Sequence, residues 1–486
     1  MARNRSGAIP TEMNNRPNIL WICTDQQRYD TIGALGYHHV DTPHIDGLVS
    51  EGVTFTRAYC QSPICTPSRG SFLTGMYPSA IHVTGNGNDA FPSTPSLVSK
   101  RLSDAGYDCG LIGKLHLASA YGRIEPRVDD GYRYWEYSHA PRDDWPVGHG
   151  YADWVRQRGG ELGELIGDPQ GVPAEFHQTT WCAEKTIEFM QEDREGPWMA
   201  CVNIYDPHPP FNPPQRYRDL FDPADMPGPL FRQSDIEQQE KLAGVDFQSS
   251  VRLPDALDIR DPLQPERGRA ADGRVLQAAY CAMIKQIDDQ VGRMLAALEA
   301  SGQRENTVVI FTSDHGEMLG DHGLIQKGCR FYEGLVRVPL IFSWPGHFAK
   351  DVRSDALVEL LDKTPTILEL AGLEPPERMQ GRSLLPMLRG EAPLDRHRDF
   401  VRCEYYDALD EPDGSYATMY RDERYKLVVY HGHDLGELYD LEEDPEEFEN
   451  MWDEPEAQPV KLKIMQQSFD ASMLAMDRGS PRVGPM

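Results

Sequence analysis

The chain has 486 residues, 40% of them hydrophobic, which is enough to bury one large core or two fused ones. With 77 acidic against 48 basic residues its formal charge is −29, which argues against nucleic acid and anionic membranes as partners and disfavours long polyanionic substrates. No apolar run reaches the ~18 residues of a membrane span, and nine cysteines without regular spacing do not form a disulfide framework. The first sixteen residues, through Arg16, are polar and hold no apolar stretch of a secretory kind, so the expected compartment is the cytoplasm.

Along the chain, the first regular signal is Asn18-Ile19-Leu20-Trp21-Ile22-Cys23-Thr24, continuously apolar as a strand buried on both faces requires. Asp25-Gln26 follows it directly. Next comes Cys65-Thr66-Pro67-Ser68-Arg69, a cysteine with proline and arginine at fixed offsets; about 0.07 such matches are expected by chance in this composition. The residues from Ser68 to Thr74 can start a helix, which sets Cys65 at an N-terminus whose free amides favour an anion. Thr84-Gly85-Asn86-Gly87 has the composition of a turn.

Further strand-like runs cover Cys109 to Gly113, Trp198 to Tyr205 and Thr307 to Thr312. Lys114 and His116 follow the first, Asp206-Pro207-His208-Pro209-Pro210 the second, and Asp314-His315-Gly316 the third. The segment Leu220–Gly273 is rich in Pro, Asp, Gln and Arg and is expected to be a long surface insertion beside the site entrance. Tyr280, Met283, Ile284, Ile287, Val291, Met294, Leu295 and Leu298 share one helical face, and Ser301-Gly302 ends that helix. Helix, short loop and buried strand form an α/β unit.

A boundary is expected between Gly390 and Arg398, dividing a catalytic domain (1–390) from a C-terminal subdomain (391–486). The subdomain holds strand-like runs at Phe400–Tyr405, Tyr425–Tyr430 and Glu437–Leu441, and a terminal helix from Val460 to Met476. Leu462, Met465, Phe469 and Met473 suit packing on that sheet or on a partner subunit. Asp25, Lys114 with His116, His208, and Asp314 with His315 all stand just past the carboxyl ends of buried strands, the edge where open α/β sheets bind ligands. Ionisable groups at four such ends point to an enzyme.

Taken together, Asp25-Gln26, Cys65 to Arg69, Gly113-Lys114-Leu115-His116, Asp206 to Pro210 and Asp314-His315-Gly316 resemble the sulfatase family of the alkaline-phosphatase-like superfamily, from about Pro17 to Asn450. The resemblance implies a large mixed, mostly parallel sheet sandwiched by helices, with a smaller C-terminal α+β subdomain. It implies a sulfuric ester hydrolase, arylsulfatase-like, whose Cys65 is oxidised to formylglycine (3-oxoalanine) by a formylglycine-generating enzyme that reads Pro67 and Arg69. In that family one hydroxyl of the hydrated aldehyde attacks sulfur, and the other later expels sulfate by collapse to the aldehyde. Arg69 would hold the diol.

Asp25, Gln26, Asp314, His315 and the side chain at 65 would hold one divalent metal. Many sulfatases carry a second aspartate in place of Gln26 and an asparagine in place of His315. Calcium remains the first choice for an oxygen-rich site, while these departures let manganese or magnesium gain ground. By the same resemblance Lys114 and Lys327 bind sulfate oxygens, His208 or Lys327 protonates the leaving group, and His116 is the base that drives diol collapse. Asn86 matches a substrate-contacting asparagine of phosphonate monoester hydrolases, and is equally a turn residue. Those hydrolases, cleaving phosphonate monoesters or phosphodiesters, are the alternative reading; the Gly113–His116 segment looks like sulfatases instead. A non-catalytic anion-binding relative would need a lost ligand or nucleophile, and none is lost. The expected partners are a small sulfate ester and a second copy in a homo-oligomer.

Overall fold

In the computed structural model, which describes residues 16–477, 479 and 484 except 94, 143–146, 169, 247–258, 261–269, 272 and 410–413, the apolar runs form the middle of a nine-stranded sheet. Its strands are β1 (Asn18–Asp25), β2 (Val53–Tyr59), β3 (Asp108–Gly113), β4 (Tyr134–Tyr137), β5 (Trp198–Pro207), β6 (Thr307–Ser313), β7 (Arg337–Val338), β8 (Leu340–Ser343) and β9 (Val352–Glu359). Across the sheet the order is β9-β2-β8-β6-β1-β5-β3-β4, with β7 beside β2. The block β6-β1-β5-β3-β4 is parallel, and β8 runs antiparallel between β2 and β6.

Strands β1, β5 and β6 are buried at every position, which is why their sequences are apolar without alternation. Successive side chains of β1 feed opposite cores: Ile19, Trp21 and Cys23 one, Leu20 and Ile22 the other. Helices cover both faces. Those that matter here are α1 (Cys65–Thr74), α2 (Gln178–Gln191), α3 (Gln233–Leu242), α4 (Gly273–Ala300), α5 (Lys363–Leu370) and α6 (Gln458–Leu474). The expected fold class is therefore the observed one. In α4 the predicted stripe is buried from Tyr280 to Leu298, with Leu295 half-buried.

A second, antiparallel sheet follows, ordered β10 (Val401–Tyr406), β11 (Tyr416–Arg421), β12 (Tyr425–Tyr430), β13 (Leu435–Asp440). Of the two packings expected for the apolar stripe of the terminal helix, the one on the sheet is not observed. The helix docks through Ile464, Ser468 and Ala471, whereas Leu462, Phe469 and Met473 are 72%, 68% and 58% exposed and Met465 lies at the edge of exposure. The insertion Leu220–Gly273 is likewise not all surface loop: α3 lies in it, and its Asp235 is buried. Residues 247–258 and 261–269 of that insertion lie outside the described residues.

Beneath the sheet edge, Lys363 at the start of α5 is fully buried, and its Nζ has no hydrogen-bond partner among the described residues. The nitrogen lies 3.9 Å from the Phe72 ring and 4.4 Å from the Trp21 ring. Burial pulls its pKa from 10.5 down to about 7. Because the unfolded chain then binds a proton that the folded chain rejects, Lys363 destabilises the fold by up to about 5 kcal/mol at pH 7 and below, a cost that fades as pH rises toward 10.5. Lys363→Met is expected to raise the melting temperature at pH 7, with the gap to wild type shrinking toward pH 10. A gap independent of pH would contradict this.

Candidate active site

Four adjacent parallel strands, β6, β1, β5 and β3, end on one edge of the sheet, and their ends carry Asp314 with His315, Asp25, His208, and Lys114 with His116. Helix α1 begins at Cys65, so its N-terminus, the positive end of its dipole, faces the same edge. One ligand atom from each of Asp25, Cys65, Asp314 and His315 lies within 4.8 Å of the others, and all four residues are buried.

The cysteine is the hub. Its Sγ is 2.8 Å from Lys327 Nζ, 3.1 Å from His315 Nε2, 3.7 Å from Asp25 Oδ1 and 4.0 Å from Lys114 Nζ. Burial and Asp25 push the thiol up, but Lys114, Lys327 and His315 outweigh them and hold it below its ordinary value. Arg69 forks across the two carboxylates: Nε donates to Asp314 Oδ2 at 2.8 Å and Nη2 to Asp25 Oδ2 at 3.2 Å, while Nη1 reaches the Lys114 carbonyl at 3.1 Å. Lys114 Nζ is 2.6 Å from Asp25 Oδ2. Against burial, Lys114, His208 and Arg69 keep Asp25 well below the carboxylate range. Burial alone would lower His315; Asp314 overrides it and lifts the imidazole to about 9.

Smaller contacts aim these groups. Ser68 Oγ donates to the Asp314 carbonyl at 2.6 Å, tying α1 to the end of β6. The His315 Nδ1–H donates to the Gly316 carbonyl at 2.8 Å, so its Nε2 faces Cys65. His208 Nδ1–H is spent in the same way on the Pro209 carbonyl at 2.7 Å. Burial and Lys327 push His208 well below the histidine range. Burial, Lys114 and His139 do the same to His116.

Asn86 has a structural contact of its own at the start of α1. Its Oδ1 accepts the Thr66 N–H at 3.0 Å, closing the first turn of α1. The carbonyl oxygen is thus committed to orienting the nucleophile helix.

Three residues around the site escaped the sequence. Glu125 is buried, and its carboxylate gathers the backbone N–H groups of His116, Leu117 and Ala118 at 2.8, 2.9 and 3.1 Å, which holds His116 at φ 57°. His139 stands edge-on to the His116 ring at 4.3 Å. Glu317 receives Gln26 Nε2 and the loop amides of Leu319 and Gln326. Glu317 had a visible signal, an acid in the same run as Asp314 and His315. The other two come from loops with none.

The carboxylates of Asp25 and Asp314, the inward-facing Nε2 of His315, which a cation would have to deprotonate, and the amide oxygen of Gln26 form an oxygen-rich donor set with one imidazole, which fits a divalent cation. This strand order, with its buried dicarboxylate at the carboxyl edge, defines an alkaline-phosphatase-like hydrolase. The family model described as Sulfatase matches residues 17–373, and the chain belongs to the sulfatase family. A second model, described as N-sulphoglucosamine sulphohydrolase, C-terminal, matches residues 320–472.

Among its relatives is an arylsulfatase of Clostridium perfringens, 29% identical over 90% of each chain. Another is the multifunctional alkaline phosphatase superfamily protein PehA of Trinickia caryophylli, 31% identical over 90% of this chain and 92% of that one. Among solved structures, the phosphonate monoester hydrolase of Agrobacterium radiobacter superposes with a TM-score of 0.79 at 27% identity, covering 95% of this chain and 97% of the other. The chain is a sulfuric ester hydrolase.

Proposed function

We propose that the enzyme cleaves small sulfate monoesters, arylsulfatase-like, with a nucleophile made from Cys65. The observation that carries this is the seating of Cys65 Sγ between two ammonium groups at the N-terminus of α1, beside a dicarboxylate. Conversion to formylglycine would supply an aldehyde hydrate, hence both an attacking hydroxyl and a second one for release. Cys65 is 1% exposed, so a formylglycine-generating enzyme would have to read Cys65 to Arg69 before the fold closes. Asp25, Gln26, Asp314 and His315 would hold the divalent cation, calcium first, with His315 leaving room for manganese or magnesium, and it would supply positive charge to ionise the nucleophile.

The chain's own residues divide the remaining work. Lys114 and Lys327 bind sulfate oxygens and neutralise the charge growing on them. Lys327 is also the acid: Cys65, Asp25 and Asp314 hold it protonated against the pull of burial. His208, neutral and with its Nδ1–H committed, has no proton to give toward the site. His116, kept neutral and pinned by Glu125, is the base. A catalytic unit spanning 1–390, with 391–486 as its subdomain, agrees with the start of the second sheet at Val401. Nine buried thiols suit a reducing compartment, the cytoplasm. The outward stripe on α6 supports a homo-oligomer.

The phosphonate monoester and phosphodiester reading is favoured by the Agrobacterium likeness, and Lys114 decides between the two. A monoester presents three unesterified oxygens and a diester only two, so the group that reaches from β3 matters more to the monoester. Lys114→Met is expected to lower kcat/KM for an aryl sulfate by about 100- to 1,000-fold and for a phosphodiester by much less. Faster cleavage of phosphodiester than of sulfate per converted site would overturn the sulfatase assignment.

A further inference from the structure

Gln26 is fixed by its backbone on both sides. Its N–H donates to Asp314 Oδ1 at 3.0 Å, and its carbonyl accepts the Tyr280 hydroxyl at 2.6 Å. Only the direction of the side-chain amide is left to be set. An amide presents either an oxygen, which can ligate a cation, or an NH2 group, which cannot. Here Oε1 accepts Lys327 Nζ at 2.9 Å, on the side of Cys65 and His315, while Nε2 donates to Glu317 Oε2. The other carboxylate oxygen, Oε1, accepts the Leu319 N–H at 3.0 Å and the Gln326 N–H. Glu317 is fully buried and acts as an acceptor in all three bonds. Gln326 immediately precedes Lys327, so one carboxylate orients both the amide and the loop that carries the lysine.

We propose that Glu317 is a positioning residue that locks the Gln26 amide with its oxygen toward the cation position. A flipped amide would face the carboxylate of Glu317 with its own oxygen, a repulsive contact, and would turn NH2 toward Lys327 and the cation. This rests on the metal-centre reading above and extends it to why a neutral side chain serves at position 26.

The test exchanges acid and amide without changing size or net charge. Apoprotein is titrated calorimetrically with Mn2+ and with Ca2+, and folding is followed by thermal melting. Glu317→Gln offers its own NH2 to Gln26, which then flips; its cation affinity is expected to fall about 10- to 100-fold. Adding Gln26→Glu to that variant restores a carboxylate facing an amide, and affinity is expected to return to within about threefold of wild type. Glu317→Gln binding as tightly as wild type would overturn the proposal alone, and a folded exchange variant that fails to recover would do the same. If Glu317→Gln does not fold, the exchange variant decides: wild-type affinity supports the lock and weak affinity overturns it. Wild-type protein that binds neither cation would remove the metal centre and the proposal together.

Discussion

Cys65→Ala is expected to lower aryl sulfate turnover by about 10,000-fold or more while leaving the fold intact, because it removes the group placed to attack. The neighbours of the thiol do not depend on it for their own pairing. Arg69 still bridges Asp25 and Asp314, Lys114 still meets Asp25, and Lys327 still meets Gln26. The melting curve should therefore shift little. In wild-type preparations, the active fraction should equal the fraction of the Cys65 peptide carrying the aldehyde, read by intact and peptide mass. Residual turnover above about 1% in the alanine variant, or activity in protein whose Cys65 is wholly unconverted, would sink the assignment of the nucleophile.

Asp314→Ala should abolish cation binding and reduce turnover by at least about 1,000-fold, and here the fold suffers too. Asp314 Oδ1 accepts the N–H groups of Gln26 and His315 at 3.0 and 2.9 Å, and Oδ2 accepts Arg69. Arg69 is 1% exposed, so deleting one of its carboxylates leaves a buried guanidinium half-paired, a loss of roughly 3–5 kcal/mol. Asp314→Asn, which can still accept the two backbone N–H groups, should melt higher than the alanine variant and be equally inactive. Metal content by elemental analysis separates the two losses. Retention of both metal and turnover in either variant would remove Asp314 from the site.

Reading the chain in one dimension went furthest where local pattern and chemistry coincide. Asn18–Asp25, Trp198–Pro207 and Thr307–Ser313 are apolar without alternation, a pattern only a strand buried on both faces needs, and each is followed by polar residues that such a strand would not place there by chance. That regularity was enough to line up Asp25, His208 and Asp314 on one edge. For α6 it left two partners open for the stripe of Leu462, Phe469 and Met473, the sheet or a second copy, and within the chain Ile464, Ser468 and Ala471 make the contact instead. An apolar stripe shows that a face exists and is silent about which face the neighbour can approach most closely.

The strand runs and the polar residues after them by themselves indicated an α/β enzyme, and the resemblance carried by Asp25-Gln26, Cys65–Arg69, Gly113–His116, Asp206–Pro210 and Asp314–Gly316 supplied the family and its fold class, because each motif is written in consecutive residues. Which of their charged groups touch was decided only in three dimensions. Arg69 meets a carboxylate 245 positions away, Asn86 turns its oxygen to Thr66, and Glu125 and Glu317 gather backbone amides that no local spacing could pair with them. Such contacts are set by where loops return to the sheet edge and by the cost of leaving a buried charge or amide unmatched, and neither leaves a mark on neighbouring residues.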